Sequence, residues 1–270
     1  EDFSSQLDVE SDNSEAFSTQ AETVRASGTC GENITFQLTT DGVLTLTGSG
    51  AMPEIEYDWK YYEPKCGWGT YISSIKKIVI EDGITSISQY SFYDCENLTE
   101  VSIPSSVKSV GNEAFHWCHN INKVMIDDLA SWCDIDFDGE NANPLRFGSD
   151  LYVNGEKNTQ LTIPDGVTEI KPYAFARAWT NDESKAAFTS IQLPETVTSI
   201  GTDAFEYNHS QSINIPNSVT VIGTQAFAGN DFSAIEIPGS VNEIAAGAFK
   251  DCKNLQKIKI PDTVQKLGSG

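Results

Sequence analysis

The stretch SINIPNSVTVIGTQAF, residues 212–227, contains the most regular part of the unit from which this chain is built. In it an aliphatic residue, Ile215, stands twelve positions before a phenylalanine, Phe227. The same spacing occurs six times, in Ile80 and Phe92, Ile103 and Phe115, Ile163 and Phe175, Leu193 and Phe205, Ile215 and Phe227, and Ile237 and Phe249. Uninterrupted copies repeat every 22 or 23 residues. A sustained period of this size predicts a solenoid of stacked coils.

Each copy predicts two short extended segments joined by a turn. Ile213 and the anchor Ile215 alternate with polar residues, which is the period of a strand. Pro216 follows the anchor and ends the strand, because proline cannot donate to a ladder. Four and seven places after the anchor, Val219 and Ile222 mark two further core columns. A single copy cannot bury its apolar side alone, so we expect the coils to stack around one shared core.

Two copies of the repeat and the segment before them resemble a known family. LTEVSIPSSVKSVGNEAFHWC (98–118) and IEIPGSVNEIAAGAFKDCKNL (235–255) are similar to the BspA-like, or Treponema-type, leucine-rich repeats of bacterial surface proteins. GTCGENITFQLTTDGVLTLTGSGAM (28–52) resembles the cap that precedes such repeats in gut-associated bacteria. The resemblance implies a mainly β fold with short helical or 3-10 turns: a right-handed leucine-rich-repeat solenoid with a β-rich N-terminal cap. It also implies secreted or surface-anchored proteins that bind host or bacterial partners, without a common enzymatic activity.

The chain divides into three predicted segments. These are an acidic disordered linker (1–28), a β-rich cap (29–73) and a solenoid of about eight coils (74–270) with insertions near 139–158 and 177–187. The linker carries seven acids against one arginine and too few apolar residues to order itself. Asp41 and Gly42 predict a hairpin within the cap. Insertions in solenoids fall on one side and can supply binding loops.

The charge balance excludes two classes of partner. The formal net charge is −22, whereas nucleic acid and anionic lipid are bound through clusters of lysine and arginine. The sequence has no apolar run as long as a membrane span, so we expect no direct membrane insertion. The chain starts at Glu1 without a methionine, which is consistent with removal of a signal peptide or of a larger precursor segment. We therefore expect an extracellular or cell-surface protein, and a monomer.

Three of the six cysteines share one position of the repeat. Cys95, Cys118 and Cys252 stand fifteen residues after an anchor, where Asn208 and Asn230 stand in other copies. This is the ladder position of leucine-rich repeats, at which a small polar group satisfies backbone groups at the bend. We predict structural thiols there.

The other three cysteines have separate interpretations. In the third copy the two columns after the anchor hold Ala130 and Cys133, so we predict that Cys133 packs in the core in place of an isoleucine. Cys30 and Cys66 lie in the cap. An exported protein could join them in a disulfide, although sequence alone does not fix connectivity.

An acidic stretch in the third copy is a candidate calcium site. Asp134, Asp136 and Asp138 followed by glycine match the start of a calcium loop. The match stops at the twelfth position, which holds Leu145 where such loops have glutamate. Apolar residues alternate with these acids, which favours solvated carboxylates on a strand.

The HWCH segment offers His116, Cys118 and His119 as metal ligands. Cys118 is already assigned to the ladder, and a closed zinc site needs four ligands. The sequence contains no nucleophile elbow, phosphate-binding glycine loop or zinc-peptidase motif. We therefore predict no metal, no cofactor and no enzymatic activity, although enzymes that use carboxylates alone are not excluded by this reasoning.

Aromatic residues of the cap and insertions provide the candidate anchors for a partner. YDWKYYEPKCGWGTY, residues 57–71, either seals the junction of cap and first coil, which we favour, or forms a platform for sugar rings or a protein hot spot. The outward columns of the predicted inner sheet contain neither aromatic residues nor arginine. The candidate ligand-binding residues are Trp59, Tyr61 and Trp68 of the cap, Phe147, Tyr152 and Trp179 of the insertions, and Lys123, Gln160, Gln192 and Asn214 of the sheet.

The sequence is therefore interpreted as a non-enzymatic adhesion or protein-interaction module. Its partner would be a protein or glycan on a host or bacterial surface. We expect that partner to engage the cap or insertion loops at least as strongly as the sheet, because binding energy concentrates in a few anchors. The alternative is a structural spacer or targeting module of a larger, cellulosome-like surface protein.

Overall fold

A computed structural model describes residues 23–178 and 188–270. The N-terminal strands are β1 (Val24–Thr29), β2 (Ile34–Thr39), β3 (Val43–Gly48), β4 (Gly50–Ala51), β5 (Tyr57–Asp58) and β6 (Glu63–Pro64). The strands that follow are β7 (Lys77–Ile80), β8 (Ile84–Ile87), β9 (Glu100–Ile103), β10 (Ser109–Val110), β11 (Lys123–Ile126), β12 (Asp136–Phe137), β13 (Asp150–Val153), β14 (Glu156–Lys157), β15 (Leu161–Thr162), β16 (Glu169–Ile170), β17 (Ser190–Gln192), β18 (Ser199–Ile200), β19 (Ser212–Asn214), β20 (Val221–Ile222), β21 (Ala234–Glu236), β22 (Glu243–Ile244), β23 (Lys257–Lys259) and β24 (Lys266–Leu267). The helices are α1 (Leu129–Cys133) and the 3-10 turns Gly69–Ser74, Glu140–Ala142 and Pro144–Phe147.

Successive coils stack through two sets of parallel strands, as the sequence predicts. In the first set β7 pairs with β9, placing Ile78 opposite Val101. In the second set β8 pairs with β10, placing Ile87 opposite Val110. All four of these side chains are buried. The predicted leucine-rich-repeat solenoid and its mainly β character are confirmed.

The phenylalanines of the repeat form a stacked column inside the core. The ring centroids of Phe175 and Phe205 lie 5.5 Å apart, and those of Phe205 and Phe227 lie 5.6 Å apart with their planes nearly parallel. Phe249 continues the column at 5.6 Å from Phe227. Offset stacking of this kind adds to the burial of each ring, which explains why one residue type recurs at this position.

The ladder position behaves as predicted. Asn208 Nδ2 donates to the carbonyl of Phe175 at 2.7 Å, one coil earlier. The thiol of Cys118 donates to the carbonyl of Phe92 at 3.0 Å, and the thiol of Cys252 makes the corresponding bond at 3.3 Å. These side chains satisfy buried carbonyls at the bend, where the strand ladders do not reach.

The cap is continuous with the solenoid. The predicted hairpin is present, with β2 and β3 antiparallel around Asp41 and Gly42. Strand β3 then pairs in parallel with β7, so the cap contributes strands to the first sheet. The first strand already begins at Val24 and pairs with β2, so the boundary predicted after residue 28 lies too late. The rest of the predicted linker, residues 1–22, lies outside the described residues.

The third copy departs from the predicted register. Phe137, rather than Cys133, pairs with Val110 and occupies the second core column. Cys133 is buried in α1, and Ala130 is exposed. The shift arises because the Asp128 side chain accepts a hydrogen bond from Ser131 N at 2.8 Å and caps a helical turn where other copies stay extended.

The insertion near 139–158 is also part of the framework, not a loop on one side. Its strand β13 pairs in parallel with β11, and β14 folds back on β13 as a hairpin. The first sheet ends there, and β15 begins a separate sheet with β17 and β19. Side chains bridge to the following coil, because Trp132 Nε1 donates to Ala174 O at 2.8 Å and Asn143 Nδ2 donates to Tyr173 O at 2.6 Å.

Candidate interaction surface

On the outward face of the first sheet, charged side chains pair with one another. Lys77 and Lys123 both reach Glu100, at 2.7 Å and 3.5 Å. The repeat pattern places Thr162 of β15 next to Met125 of β11. In the structure β13 pairs with β11 instead, so Tyr152 stands beside Met125. The inference that these columns lack aromatic residues is therefore wrong. Lys123 Nζ lies 4.8 Å from the centre of the Tyr152 ring, so both candidates already contact each other.

The remaining sheet candidates lie on the second part of the solenoid. Gln192 and Asn214 are neighbours across β17 and β19, and both are exposed. Gln160 is exposed immediately before β15. The break between β14 and β15 means that Gln160 does not continue the column of Lys123 in the same sheet. Trp179 lies outside the described residues.

The aromatic segment of the cap divides into buried and exposed halves. Trp68 is fully buried and stacks 6.0 Å from Phe92, which extends the phenylalanine column into the cap. Its Nε1 donates to Ser91 O at 2.8 Å. Its assignment as a ligand-binding residue is therefore wrong, because the ring seals the junction. Trp59 and Tyr61, in contrast, are each 62% exposed.

Ring contacts join the cap to the insertion across two coils. Trp59 lies 6.3 Å from Tyr93, and Tyr93 lies 5.3 Å from His116. The chain continues from His116 to Trp117 at 5.1 Å, to His119 at 5.2 Å and to Phe147 at 4.7 Å. We refer to this set as the aromatic surface, defined by Trp59, Tyr93, His116, Trp117, His119 and Phe147.

The repeat itself positions the middle of the aromatic surface. Tyr93 and His116 each follow the column phenylalanine directly, at the start of the same turn in successive coils. Trp117 occupies the next position of that turn and is 48% exposed. Sequence reasoning missed Tyr93 and Trp117 because the HWCH segment was considered only for metal binding. The signal in the sequence was Trp117 at a turn position that holds Asp94, Tyr207 and Gly229 in other copies.

Carboxylates surround the aromatic surface. The Glu113 carboxylate contacts His116 Nδ1 and accepts a hydrogen bond from Asn141 at 3.2 Å. Burial is the main factor that lowers the pKa of His116, and His119 and Arg146 lower it further, while Glu140 and Asp94 act in the opposite direction. With its pKa below the ordinary value, His116 is mostly neutral at pH 7 and donates to Glu113 through Nδ1–H. The surface therefore carries net negative charge.

Cys30 and Cys66 line one cleft of the cap together with Glu54 and Glu63. Both thiols are free. Burial raises the pKa of Cys30 to about 11 and that of Cys66 to about 12, so both are protonated at neutral pH. A disulfide between them stays a prediction.

The candidate calcium ligands point to separate partners. Asp134 pairs with Lys108 at 3.5 Å, and Asp136 accepts a hydrogen bond from Lys171 at 2.6 Å. Asp138 is exposed beyond β12. Within residues 23–178 and 188–270, no three His, Cys, Asp or Glu side chains are grouped so that they could hold a metal.

Calcium is accordingly expected to leave the melting temperature nearly unchanged. A site in the folded state, at ~100 times its dissociation constant, would contribute about 2.7 kcal/mol. Differential scanning fluorimetry in calcium and in EDTA measures the difference. A clear rise in calcium that is lost in Asp136→Ala would contradict this expectation.

Comparison with known proteins identifies the repeat. The profile described as "BspA type Leucine rich repeat region" matches residues 70–178 and 183–270 in six copies. No curated protein matches the chain significantly. In the part of the chain that the structure describes, no helix is long and apolar enough to cross a membrane.

Solved structures of bacterial leucine-rich repeat proteins are similar at low identity. A leucine-rich cell surface protein from Faecalibacterium prausnitzii is 21% identical, with 89% of this chain and 90% of that chain covered and a TM-score of 0.42. The leucine-rich repeat protein of T. pallidum is 22% identical, with 89% and 85% covered and a TM-score of 0.37. A leucine-rich repeat protein from Eubacterium ventriosum is 20% identical, with 90% and 93% covered and a TM-score of 0.32.

Proposed function

Because the chain belongs to the BspA type leucine-rich repeat family, we propose that it is a non-enzymatic interaction module of an extracellular or cell-surface protein. It binds its partner, a protein or glycan of a host or bacterial surface, through the aromatic surface. Solenoids present extended surfaces on a rigid stack of coils, which suits them to binding.

The observation that carries this proposal is the exposure of Trp59 and Trp117 on one continuous set of rings. Large aromatic side chains in contact with water are unfavourable for a protein that has no partner, and they are enriched among interface anchors. The face of the first sheet offers less, since Lys77 and Lys123 are already paired with Glu100.

Two observations support the absence of catalysis. Burial raises the pKa of Cys30, Cys66 and Cys133 to between about 11 and about 12, so these thiols are not nucleophiles at neutral pH. His116 is held by Glu113, and His209 Nδ1 lies 3.3 Å from Asp231 on another coil. The imidazoles of His116 and His209 thus each face a carboxylate, and His119 packs against the rings of Trp117 and Phe147.

Trp59→Ala is expected to weaken capture of surface proteins and glycans from host or bacterial cells more than Gln192→Ala does. The reason is that an exposed anchor is lost in the first case and a solvated amide in the second. Immobilised protein and purified surface fractions in a biosensor give the measurement. Asn214→Ala serves as a second control on the sheet.

The opposite result has a defined meaning. Loss of capture in Gln192→Ala and Asn214→Ala with normal capture by Trp59→Ala would place the site on the second part of the sheet. Absence of capture by any form of the protein would favour the spacer or targeting role instead.

A further inference from the structure

The backbone of Trp117 adopts a conformation that large side chains avoid. Its φ is 63°, in the left-handed region. The equivalent turn position holds Asp94, Tyr207, Gly229 and Asp251, with φ values of 58°, 50°, 68° and 56°. Glycine has no steric penalty there and aspartate is enriched, whereas tryptophan and tyrosine are strained. Tyr207 is half-buried at its position, whereas Trp117 is 48% exposed, so packing does not offset the strain and a function explains this tryptophan better than stability does.

The environment of Trp117 indicates which ligand chemistry it suits. One side of its ring stacks on His116 with an interplanar angle of 19°. Asp94 and Glu140 are close enough to act on the pKa of His116, and the Glu113 carboxylate contacts that ring. An aromatic ring bordered by carboxylates attracts a cation through two interactions. One is with the quadrupole of the ring, and the other is the Coulomb attraction to the carboxylates.

Among the described residues, Arg146 is the arginine or lysine that acts on the pKa of His116. Arg146 bonds to Glu140 at 2.7 Å. In the neighbouring part of the cap, Lys60 Nζ already lies 4.7 Å from the centre of the Tyr61 ring, which shows a cation resting on an exposed ring of the same region. The formal net charge of −22 would steer positively charged partners toward the protein. A neutral sugar would leave the carboxylates uncompensated on desolvation, so the charge favours a cation.

We propose that the aromatic surface binds an arginine- or lysine-containing peptide segment of a partner protein, with one cationic side chain seated on the Trp117 ring between Asp94 and Glu113. This rests on the proposed function and specifies the chemical class of its partner. The aromatic rings supply the contact area, and the carboxylates supply selectivity for positive charge.

The test uses a fluorescent peptide of alternating arginine and glycine as the probe. Its counterpart with citrulline in place of arginine keeps the shape and the hydrogen-bonding groups but lacks the charge. Fluorescence anisotropy with the whole chain should show binding of the arginine peptide, weaker binding at high salt, and much weaker binding of the citrulline peptide. Trp117→Asn should reduce the affinity about three- to thirty-fold, which is the range of a cation–π contact.

Two controls separate this proposal from unspecific attraction. Asn tolerates the left-handed conformation, so Trp117→Asn should melt no lower than the unaltered protein. Glu236→Gln removes one charge from the distant sheet face, where Glu236 pairs with Lys259. It should leave peptide affinity almost unchanged, whereas Asp94→Asn should weaken it. Equal effects of Glu236→Gln and Trp117→Asn would overturn the proposal, because binding would then follow net charge alone.

The outcomes also distinguish this proposal from the function on which it rests. If a neutral oligosaccharide binds and loses affinity in Trp117→Asn, while the arginine and citrulline peptides bind equally, the cationic class is wrong and the aromatic surface remains a binding site. If surface fractions are captured equally by the unaltered protein, Trp59→Ala and Trp117→Asn, the aromatic surface itself is wrong.

Discussion

Ile222→Asp is expected to unfold the coils around it. Ile222 is fully buried in β20, between Ile200 of β18 and Ile244 of β22. An aspartate there would place an unpaired carboxylate in the shared core, which costs several kcal/mol. The stability of a folded domain is only about 5 to 15 kcal/mol. Urea denaturation followed by circular dichroism should show a large loss of the cooperative transition.

Asn214→Asp is the matched control. Asn214 belongs to the same copy of the repeat as Ile222, in the preceding strand β19, and is exposed. The same side chain introduced there remains hydrated, so the midpoint should stay close to that of the unaltered protein. Equal stability of the two variants would contradict the assignment of Ile222 to the core and Asn214 to the outside.

The sequence predicts the fold well wherever one pattern repeats. Ile222, Phe227 and Asn230 lie where their columns place them, because each position of the repeat makes the same kind of contact in successive coils. The third copy shows the limit of this reasoning. A capping side chain, Asp128, starts a helical turn, and the second core column then resumes at Phe137. Spacing alone cannot reveal such a change in path length.

The candidate site was predictable only in pieces. Trp59 and Phe147 stand out as aromatic residues of the cap and the insertion, but 88 positions separate them in sequence. Tyr93, His116 and Trp117 connect them only because stacking brings the same turn of successive coils together. Within a single copy these residues form an ordinary turn. The aromatic surface is recognised only when the turns of successive coils are considered together.

Asn230→Ala is expected to destabilise the protein by about 2 to 4 kcal/mol, because buried backbone groups lose their partners. Asn230 is fully buried, and its Nδ2 donates to the carbonyls of Phe205 and Phe227, both at 2.9 Å. Its Oδ1 accepts from Ser210 N at 3.0 Å. One side chain thus serves three backbone groups in adjacent coils. The free energy of unfolding from urea titration gives the measurement.

Asn230→Cys should lose less than Asn230→Ala, because the thiol of Cys252 already donates to a carbonyl at this position in the next coil. The thiol restores the donor, although sulfur is a weak acceptor for the Ser210 amide. Asn254→Ala is the control for loss of an amide, since Asn254 is exposed and bonds to Asp231 at 3.4 Å. It should change stability by less than about 0.5 kcal/mol. If Asn230→Ala were as stable as Asn254→Ala, or if cysteine restored nothing, the ladder would not be stabilising the stack through these hydrogen bonds.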